Sequence, residues 1–296
     1  MKLPTNYQEN RRLSEFSTFG IGGPARYFVE ISHITDMQSA LLFCYDHAIP
    51  YFILGKGSNC LFDDHGFNGL VIANRIDFLN KEDNGTFHVG AGYSFSLLGT
   101  QTARQGFSGL EFASGIPGSV GGAVYMNAGA NGTETCDSLI SVDYVLNDGS
   151  LTTFSKNELD FQYRYSSFHH KKGAIVAATF LLTDSLTARE KQLMIIDYRK
   201  RTQPYGSKSA GCVFRNPAKD IGAGALIDQS GLKGMSVGDA QVSSVHANFI
   251  VNTGSATAED VIALIHLIQQ EVKNKTGHSL ESEVRCIPYS PTLTKE

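Results

Sequence analysis

The chain has 296 residues, of which 42% are hydrophobic and 18% charged, a composition typical of a soluble globular protein with two or three domains. Its formal net charge of −4 argues against nucleic acid or an anionic membrane as a general partner. The N-terminal residues contain no apolar signal core, and no apolar run approaches the roughly 18 residues that a membrane helix requires. We therefore expect a cytoplasmic protein that does not bind membranes.

The cysteines and histidines predict neither a metal site nor a disulfide framework. The cysteines are odd in number and lack CxxC spacing (Cys44, Cys60, Cys136, Cys212 and Cys286), which fits a reducing compartment. The nine histidines, including the His169-His170 pair, show no metal-ligand pattern. We expect no bound metal, one thiol where chemistry occurs, and the other four as small buried hydrophobic side chains.

The N-terminal part predicts a β-α-β unit. Residues 26–31 read as a strand, 35–47 as a helix with apolar residues at helical spacing, and 51–54 as a second strand. The unit ends in the turn GKGSN at residues 55–59. We expect that turn to leave several backbone N–H groups facing an anion.

The middle of the chain, residues 70–146, predicts short strands between glycine clusters and at most one short helix, near 96–104. Two glycine runs dominate it, at 115–123 and 127–132. Such a density of glycine is typical of backbone that packs against a ligand.

The last part predicts two longer helices. After a strand at 174–182, residues 187–201 read as a helix that Pro204 ends, and we place a domain boundary there. A second helix at 257–276 begins with a Thr257 and Asp260 capping pair and stops at Gly277. Five of its apolar residues should face the core: Val261, Leu264, Ile265, Ile268 and Val272.

The glycine loops do not match the common nucleotide motifs. The loop at 55–59 has the wrong spacing for a Walker A loop, and the run at 115–123 lacks the GxGxxG pattern before a long helix. Any single glycine here is better explained by a tight turn. Together the two loops predict a site where closely spaced N–H groups hold a pyrophosphate.

The ordered set of motifs resembles the UDP-N-acetylenolpyruvoylglucosamine reductase family, from about residue 10 to 288. The motifs are STFGIGGPA (17–25), LGKGSN (54–59), GLEFASGIPG (109–118) and GGA (121–123). The resemblance implies an α+β fold with a two-part FAD-binding domain of the vanillyl-alcohol-oxidase/PCMH type, at 1–203 with subdomains of about 1–75 and 76–203. A C-terminal α+β substrate domain would follow at 204–296. The chain is similar to the shorter form, without an inserted tyrosine loop.

The resemblance also implies which residues contact FAD, bound without a covalent link. They lie in the two glycine loops and are Gly55, Gly57, Ser58, Asn59, Gly115, Ile116, Pro117, Gly118, Gly121 and Gly122.

Three residues are implied for the chemistry. Arg164 lies in a segment, 161–168, whose alternation fits a strand, and matches the family motif Tyr-Arg-x-Ser-x-Phe. Cys212 matches the serine or cysteine of Gly-Ser/Cys-x-Phe-x-Asn-Pro, where a thiol can donate a proton. Glu283 matches the second acid of Leu-Glu-x-Glu-Val-Arg, in a stretch expected to be extended over 280–285. By itself, each of these residues would be an ordinary surface or core residue.

Other residues are candidates for binding the substrate. Asn216 follows Cys212 in the same motif and is a candidate contact to the nucleotide. Arg199, Lys200, Arg201 and Lys208 are phosphate candidates on charge alone.

The function implied is NADPH-dependent reduction of an enolpyruvyl group on a UDP-sugar, with FAD carrying the hydride and Cys212 giving the proton. The partners are then small molecules, and we expect a monomer. Two alternatives remain open at this point. One is a flavin oxidase on the same FAD-binding fold, and the other is a non-catalytic module that binds flavin or a UDP-sugar.

Overall fold

The computed structural model describes residues 7–82 and 84–290. Helices and strands are mixed along this part of the chain, so the α+β fold class expected from the sequence is confirmed. The helices are α1 Ile34–Asp46, α2 Phe95–Arg104, α3 Val120–Met126, α4 Thr135–Ser138, α5 Ala188–Thr202, α6 Ala223–Gln229 and α7 Ala258–Thr276. Short 3-10 turns lie at Leu13–Glu15, Glu111–Ala113, Lys156–Glu158 and Ser167–His169.

The strands of the described residues follow in chain order. They are β1 Gln8–Arg12, β2 Pro24–Ile31, β3 Tyr51–Leu54, β4 Cys60–Phe62, β5 Phe67–Asn74, β6 Leu79–Lys81, β7 Thr86–Gly90, β8 Phe107–Ser108, β9 Gly129–Ala130, β10 Thr133–Glu134, β11 Leu139–Leu146, β12 Leu151–Ser155, β13 Phe161–Gln162, β14 Tyr165–Ser166, β15 Gly173–Leu181, β16 Thr183–Asp184, β17 Ser236–Val237, β18 Ala240–Val242, β19 Ile250–Asn252 and β20 Arg285–Ile287.

The larger sheets have simple orders. Strands β1-β2-β5-β3 form a four-stranded sheet, in which β3 runs parallel to β5. Strands β12-β11-β15-β7-β6 form an antiparallel five-stranded sheet. Strands β17-β18-β19 form a third, antiparallel sheet.

Packing divides the chain into two compact units. The first consists mainly of Tyr27–Lys56 and Leu70–Arg199, and the second of Glu9–Arg26, Gly57–Gly69 and the chain from Lys200 onward. Two N-terminal segments therefore belong to the same unit as the C-terminal part. The domain limits expected from the sequence, at residues 75 and 203, stay predictions.

The first unit contains two apolar cores. In one, α1 packs on β11 and β15, in a buried cluster that contains Leu41 of α1 and Ile72 of β5. In the other, α3 packs on β7 and β15 of the five-stranded sheet, and Leu98, Val124 and Phe180 are fully buried. Helix α2 starts at Ser94, whose side-chain oxygen accepts from the N–H of Leu97.

The expected elements of the first unit are mostly confirmed, with one correction. The strands at 26–31 and 51–54, the helix at 35–47 and the helix near 96–104 all form within two residues of their expected limits. However, the segment 70–146 holds α3 and α4 in addition to α2, so the prediction of at most one helix is wrong. Helix α3 forms despite its two glycines because Ser119 caps it and Val120 and Val124 are buried.

The second unit is built around helix α7. All five apolar residues expected to face the core are buried: Val261, Leu264, Ile265, Ile268 and Val272. The capping box is present, with Asp260 N donating to Thr257 Oγ1 at 3.1 Å and Thr257 N donating to Asp260 Oδ2 at 2.9 Å. Gly277, with φ +76°, ends the helix in the left-handed conformation.

A second carboxylate also caps α7. The N–H of Ala258 donates to both carboxylate oxygens of Asp64, at 2.8 and 3.0 Å. A negative charge at a helix N-terminus is stabilised by the free N–H groups there. The segment 57–69 is thus hydrogen-bonded to the long helix α7. In the same unit, β4 and β20 pair in parallel.

Within residues 7–82 and 84–290, none of the helices is both long and apolar enough to cross a bilayer.

The capping box gives a test of the fold. Thr257→Ala should lower the free energy of unfolding by about 1 kcal/mol, because the N–H of Asp260 loses its acceptor. Urea unfolding followed by circular dichroism measures the change. Ser255→Ala, which removes an exposed hydroxyl two residues earlier, is the matched control and should change stability by less than about 0.5 kcal/mol. Equal losses in the two variants would contradict the role given to the cap.

Candidate functional site

The glycine loop after β3 begins at a residue with no room for a side chain. A Cβ on Gly55 would lie 2.3 Å from Ser119 Oγ. The carbonyl of Gly55 accepts from Arg75 Nη1 at 3.0 Å. Because C=O and the following N–H point in opposite directions across a trans peptide, the N–H of Lys56 points away from Arg75.

The next part of the loop, Gly57 to Asn59, belongs to the second unit. Gly57 has φ +63°, and a Cβ there would lie 2.0 Å from the carbonyl oxygen of Phe16. Its carbonyl accepts from the backbone N–H and the hydroxyl of Thr18, at 3.1 and 3.3 Å. By the same trans geometry the N–H of Ser58 points away from Thr18. In this turn the carbonyls of Gly55 and Gly57 face their protein partners. The N–H groups of Lys56 and Ser58 point away from those partners, as an anion site requires.

The second glycine run has a different structure from the one expected. Instead of a loop with free N–H groups, its last part is the first turn of α3. Gly115 N donates to Ser96 Oγ at 2.7 Å, Gly121 N to Ala91 O at 2.8 Å, and Gly122 N to Ser119 Oγ at 3.3 Å. Among the described residues, these three N–H groups are thus already paired, and we correct the expectation for this run.

The second glycine run allows a ligand to approach its backbone closely. Gly115 has φ +85°, which favours glycine. The turn through Ile116, Pro117 and Gly118 is closed by Ile116 N to Ala113 O and Gly118 N to Ile116 O, both at 2.9 Å. The only atom near a Cβ built on Gly122, within the described residues, is Ser119 Oγ at 3.4 Å. A ligand can therefore come within van der Waals distance of this backbone.

Arg164 lies in a turn, so the strand expected over 161–168 is wrong. Strands β13 and β14 pair as a hairpin, Gln162 opposite Tyr165, and Tyr163 and Arg164 connect them. Arg164 has φ +56°, an unfavourable conformation for a residue with a side chain. Its guanidinium donates from Nη2 to the carbonyl of Gly129 at 2.9 Å and lies over the ring of Tyr163. This contact compensates for the strain and fixes the direction of the guanidinium.

Sequence reasoning missed two residues that hold Arg164. Glu134 Oε1 lies 4.0 Å from Arg164 Nη1, and Glu134 Oε2 accepts from Asn127 Nδ2 at 2.8 Å. Asn127 is fully buried, and its Nδ2 also donates to the carbonyl of Gln162 at 3.0 Å. These contacts join the hairpin that carries Arg164 to the hairpin of β9 and β10. The sequence signal was Asn131-Gly132, both with positive φ, which is typical of a two-residue hairpin turn.

Cys212 lies in an extended segment of the second unit, between two other segments. On one side Cys212 bridges to Phe249, and Val213 N donates to Asn248 O at 2.8 Å. On the other side Glu283 N donates to Val213 O at 2.7 Å. The structure therefore brings two of the expected catalytic residues, Cys212 and Glu283, onto paired segments.

Glu283 is also bound to the glycine loop. Its carbonyl accepts from Asn59 Nδ2 at 3.1 Å, and the N–H of Arg285 donates to the carbonyl of Asn59 at 3.1 Å. The extended stretch expected at 280–285 is interrupted by a bend at Val284, and β20 begins only at Arg285. That part of the prediction is wrong, because residues 281–283 bond to residues 213–215 before the bend, whereas β20 pairs with β4 after it.

The remaining candidates have ordinary structural contacts. Asn216 Oδ1 accepts from the N–H of Ala223 at 3.0 Å, at the start of α6. Among the basic candidates, Arg199, Lys200 and Arg201 lie in α5, and Lys208 lies in the loop after it. A role for any of them in binding substrate stays a prediction.

The cysteines do not all behave as expected. Cys44 and Cys60 are buried, Cys136 and Cys212 are half-buried, and Cys286 is exposed. The expectation that all four cysteines other than Cys212 are buried is therefore wrong for Cys136 and Cys286. Among residues 7–82 and 84–290, no group of three His, Cys, Asp or Glu side chains could hold a metal ion.

Two protein-family models match this chain. A family model described as "FAD binding domain" matches residues 25–155, and one described as "UDP-N-acetylenolpyruvoylglucosamine reductase, C-terminal domain" matches 203–287. The UDP-N-acetylenolpyruvoylglucosamine reductase of Protochlamydia amoebophila is 68% identical over 98% of this chain and 96% of its own length. That of Chlamydia muridarum is 50% identical over 98% of both chains.

The chain belongs to the UDP-N-acetylenolpyruvoylglucosamine reductase family. The crystal structure of the Thermus caldophilus reductase of this family agrees, with a TM-score of 0.80, 37% identity, and coverage of 95% of this chain and 98% of that one. The resemblance inferred from the motifs is confirmed, as are the FAD-binding domain and the C-terminal domain that follows it. The residues that contact FAD are not tested by these matches.

Each glycine loop of this reductase family member, taken by itself, has a feature that suits FAD. The loop at 55–59 has N–H groups that point away from its protein partners, as a pyrophosphate requires. The run at 115–122 presents backbone without a side chain at Gly122, where there is open space.

The open space at Gly122 gives a direct test of flavin contact. Gly122→Ala places its Cβ 3.4 Å from the nearest atom, so the apoprotein should be as stable as the unaltered chain or more stable. Its affinity for FAD should fall at least about tenfold if flavin packs on this backbone. Fluorescence titration of apoprotein with FAD measures the affinity. Gly121→Ala is the contrasting variant, because its Cβ would lie 2.9 Å from Ala91 Cβ and should destabilise the apoprotein itself. Unchanged FAD affinity in Gly122→Ala would remove Gly122 from the site.

The thiols give a second test, in the folded protein at pH 8. Burial raises the pKa of Cys44 to about 12 and that of Cys60 to about 11, so both stay protonated at pH 8 and should resist iodoacetamide. Cys286 is exposed enough to react. Its labelling should become faster as the pH rises, because partial burial raises the pKa of its thiol. Mass spectrometry of peptides locates the label, and labelling in urea, where every cysteine should react, is the control. Rapid labelling of Cys60 in folded protein would contradict its burial.

Proposed function

We propose that this chain performs its family's reaction with Cys212 as the proton donor and with Arg164 and Glu283 as the groups that stabilise the developing charge. The reaction is the NADPH-dependent reduction of the enolpyruvyl group of UDP-N-acetylglucosamine-enolpyruvate to UDP-N-acetylmuramate, a step of peptidoglycan precursor synthesis. Membership of the family, at up to 68% identity over nearly the whole chain among the relatives above, favours this reductase over a flavin oxidase or a non-catalytic binding module.

The observation that carries the proposal is the pairing of the Cys212 and Glu283 segments. Glu283 N donates to Val213 O at 2.7 Å, one residue from Cys212. The backbone carbonyl of Glu283 accepts from the side chain of Asn59, in the glycine loop. A proton donor, an acid and part of the expected flavin loop are therefore held in one backbone network.

FAD bound to this chain would supply the hydride chemistry, with NADPH as the reductant and the carbon–carbon double bond as the group reduced. Gly55, Gly57, Ser58 and Asn59 would hold its pyrophosphate end, and Gly115, Ile116, Pro117, Gly118, Gly121 and Gly122 would pack against it. Saturation of the double bond also needs one proton, which the protein must provide.

Cys212 provides that proton in our proposal. Hydride addition at the β-carbon places negative charge on the α-carbon and on the carboxylate attached to it. A positioned thiol can protonate the α-carbon, and such acid catalysis contributes about 10²- to 10⁴-fold to a rate. Cys212 is half-buried, so it is reachable by a ligand while its backbone is fixed.

Arg164 and Glu283 act on the carboxylate. A guanidinium has five N–H donors, and in Arg164 one of its nitrogens, Nη2, is bound to Gly129 O. We assign other donors of Arg164 to the substrate carboxylate, where charge increases in the transition state. Glu283 would take part by sharing a proton with that carboxylate. Asn216 would contact the nucleotide.

We also infer that the enzyme works in the cytoplasm, where NADPH and nucleotide sugars are available, and that it is a monomer. Sedimentation equilibrium measures the oligomeric state.

The assignment of Cys212 is tested by separating the two half-reactions anaerobically. Cys212→Ala should leave bleaching of the flavin by NADPH unchanged but slow its recovery of colour with the enolpyruvyl substrate by about 10²- to 10⁴-fold. Stopped-flow absorbance of the flavin measures both rates. Cys212→Ser should keep much of the activity, because a hydroxyl can also deliver a proton.

Cys136→Ala is the matched control, since Cys136 is also half-buried but lies in the first unit, and both half-reactions should survive. Equal slowing of both half-reactions in folded Cys212→Ala protein would show that Cys212 is not the donor.

A further inference from the structure

The backbone around Cys212 is held by a side chain rather than by a second full strand. Phe214 lies two residues after Cys212 and is almost fully buried. Its N–H donates to Asn248 Oδ1 at 2.9 Å, and its carbonyl accepts from Asn248 Nδ2 at 2.8 Å. The backbone of Asn248 adds a third bond, because its carbonyl accepts from Val213 N at 2.8 Å.

Only an amide side chain of this length satisfies both groups of Phe214. An amide has one acceptor and one donor group, whereas a carboxylate accepts only and an aliphatic side chain does neither. Asn248 is 4% exposed, so water cannot readily replace the lost bonds if the amide is removed.

Asn248 is itself fixed by His246. The N–H of Asn248 donates to His246 Nδ1 at 3.2 Å, and the N–H of Phe249 donates to the carbonyl of His246 at 3.0 Å. Burial, and then the charge of Lys233, lower the pKa of His246. The ring is therefore neutral at physiological pH, where Nδ1 keeps the lone pair that this contact needs.

We infer that Asn248 is a positioning residue that holds Cys212 in place for proton transfer. It acts through Val213 and Phe214, which link Cys212 to the Glu283 segment on the other side. The inference rests on the proposed function, because it takes Cys212 as the proton donor. Misplacement of a reacting group by about 1 Å can cost about 100-fold in rate.

The test uses the two anaerobic half-reactions of the FAD-loaded enzyme. Asn248→Asp keeps the acceptor but loses the donor to the Phe214 carbonyl. We expect flavin bleaching by NADPH to change less than about twofold and recovery with the enolpyruvyl substrate to slow about 10- to 100-fold. If Asn248→Asp does not fold, Asn248→Ser takes its place, because a hydroxyl cannot reach both groups.

A matched control variant comes from the first unit. Asn74 is also 4% exposed and also binds backbone with both ends of its amide, to Ile175 O at 2.9 Å and from Ile76 N at 3.1 Å. Asn74→Asp should lower the melting temperature about as much as Asn248→Asp, but should not selectively slow recovery with substrate.

A double variant separates positioning from general destabilisation. In a Cys212→Ala background the proton donor is already absent, so adding Asn248→Asp should slow recovery by less than a further factor of about two. The same further slowing as in the unaltered chain would overturn the inference, as would equal slowing of both half-reactions by Asn248→Asp. If Cys212→Ala slows recovery and Asn248→Asp does not, only this inference fails. If Cys212→Ala has no effect, the proposed donor fails and the inference fails with it.

Discussion

The chemistry proposed for this chain depends on one set of backbone hydrogen bonds, between residues 212–215 and the two segments beside them. Val213 is bonded on one side to Asn248 and on the other to Glu283. Backbone bonds of this kind are insensitive to most side-chain changes, but they set distances to within a fraction of an ångström. These bonds hold the segments of the proposed proton donor and the proposed acid side by side.

The first unit positions its functional groups by backbone shape instead. Gly55 and Gly121 have no space for a Cβ, and Arg164 adopts a left-handed conformation in a hairpin turn. That conformation costs about 1 kcal/mol or more for a residue with a side chain, and the bond from Arg164 to Gly129 O offsets part of the cost. The strain is local to a residue for which a function is proposed, as is common in active sites.

Much of this structure follows from local signals in the sequence. The limits of α7, its capping box at Thr257 and its buried face could be predicted because helix caps and apolar spacing depend on neighbouring residues. The turn at Arg164 could not, because the alternation over 161–168 fits a strand and the hairpin depends on contacts with Gly129 and Asn127. Helix α3 was missed because glycine is a poor helix former, and burial of Val120 and Val124 outweighs that preference.

The candidate site likewise contains residues that sequence motifs predict and residues that only distant contacts reveal. Family motifs led to Arg164, Cys212 and Glu283, whereas Asn248 and Glu134 had no motif that marked them. Asn248 matters through a hydrogen bond to a residue 34 positions away, and Glu134 through an ion pair with a residue 30 positions away. No periodic pattern in the sequence encodes such partners. The expectation of free N–H groups in the run at 115–123 was wrong for two reasons: Gly121 N is bonded to the distant Ala91 O, and Gly122 N is bonded to Ser119 Oγ, the cap of α3.

The hydrogen bonds between Asp64 and the N-terminus of α7 have a consequence for folding during translation. Residues 9–26 and 57–69 emerge early from the ribosome, yet their packing partners, including α7 and β20, are among the last to be synthesised. The core shared by Phe19, Leu61 and Leu264 can close only when translation is nearly complete. Contacts of such long sequence separation form slowly, so the apolar side chains of the early segments stay uncovered until then. A fragment that begins at the C-terminal part would lack Phe19, Ile21 and Leu61 from this core.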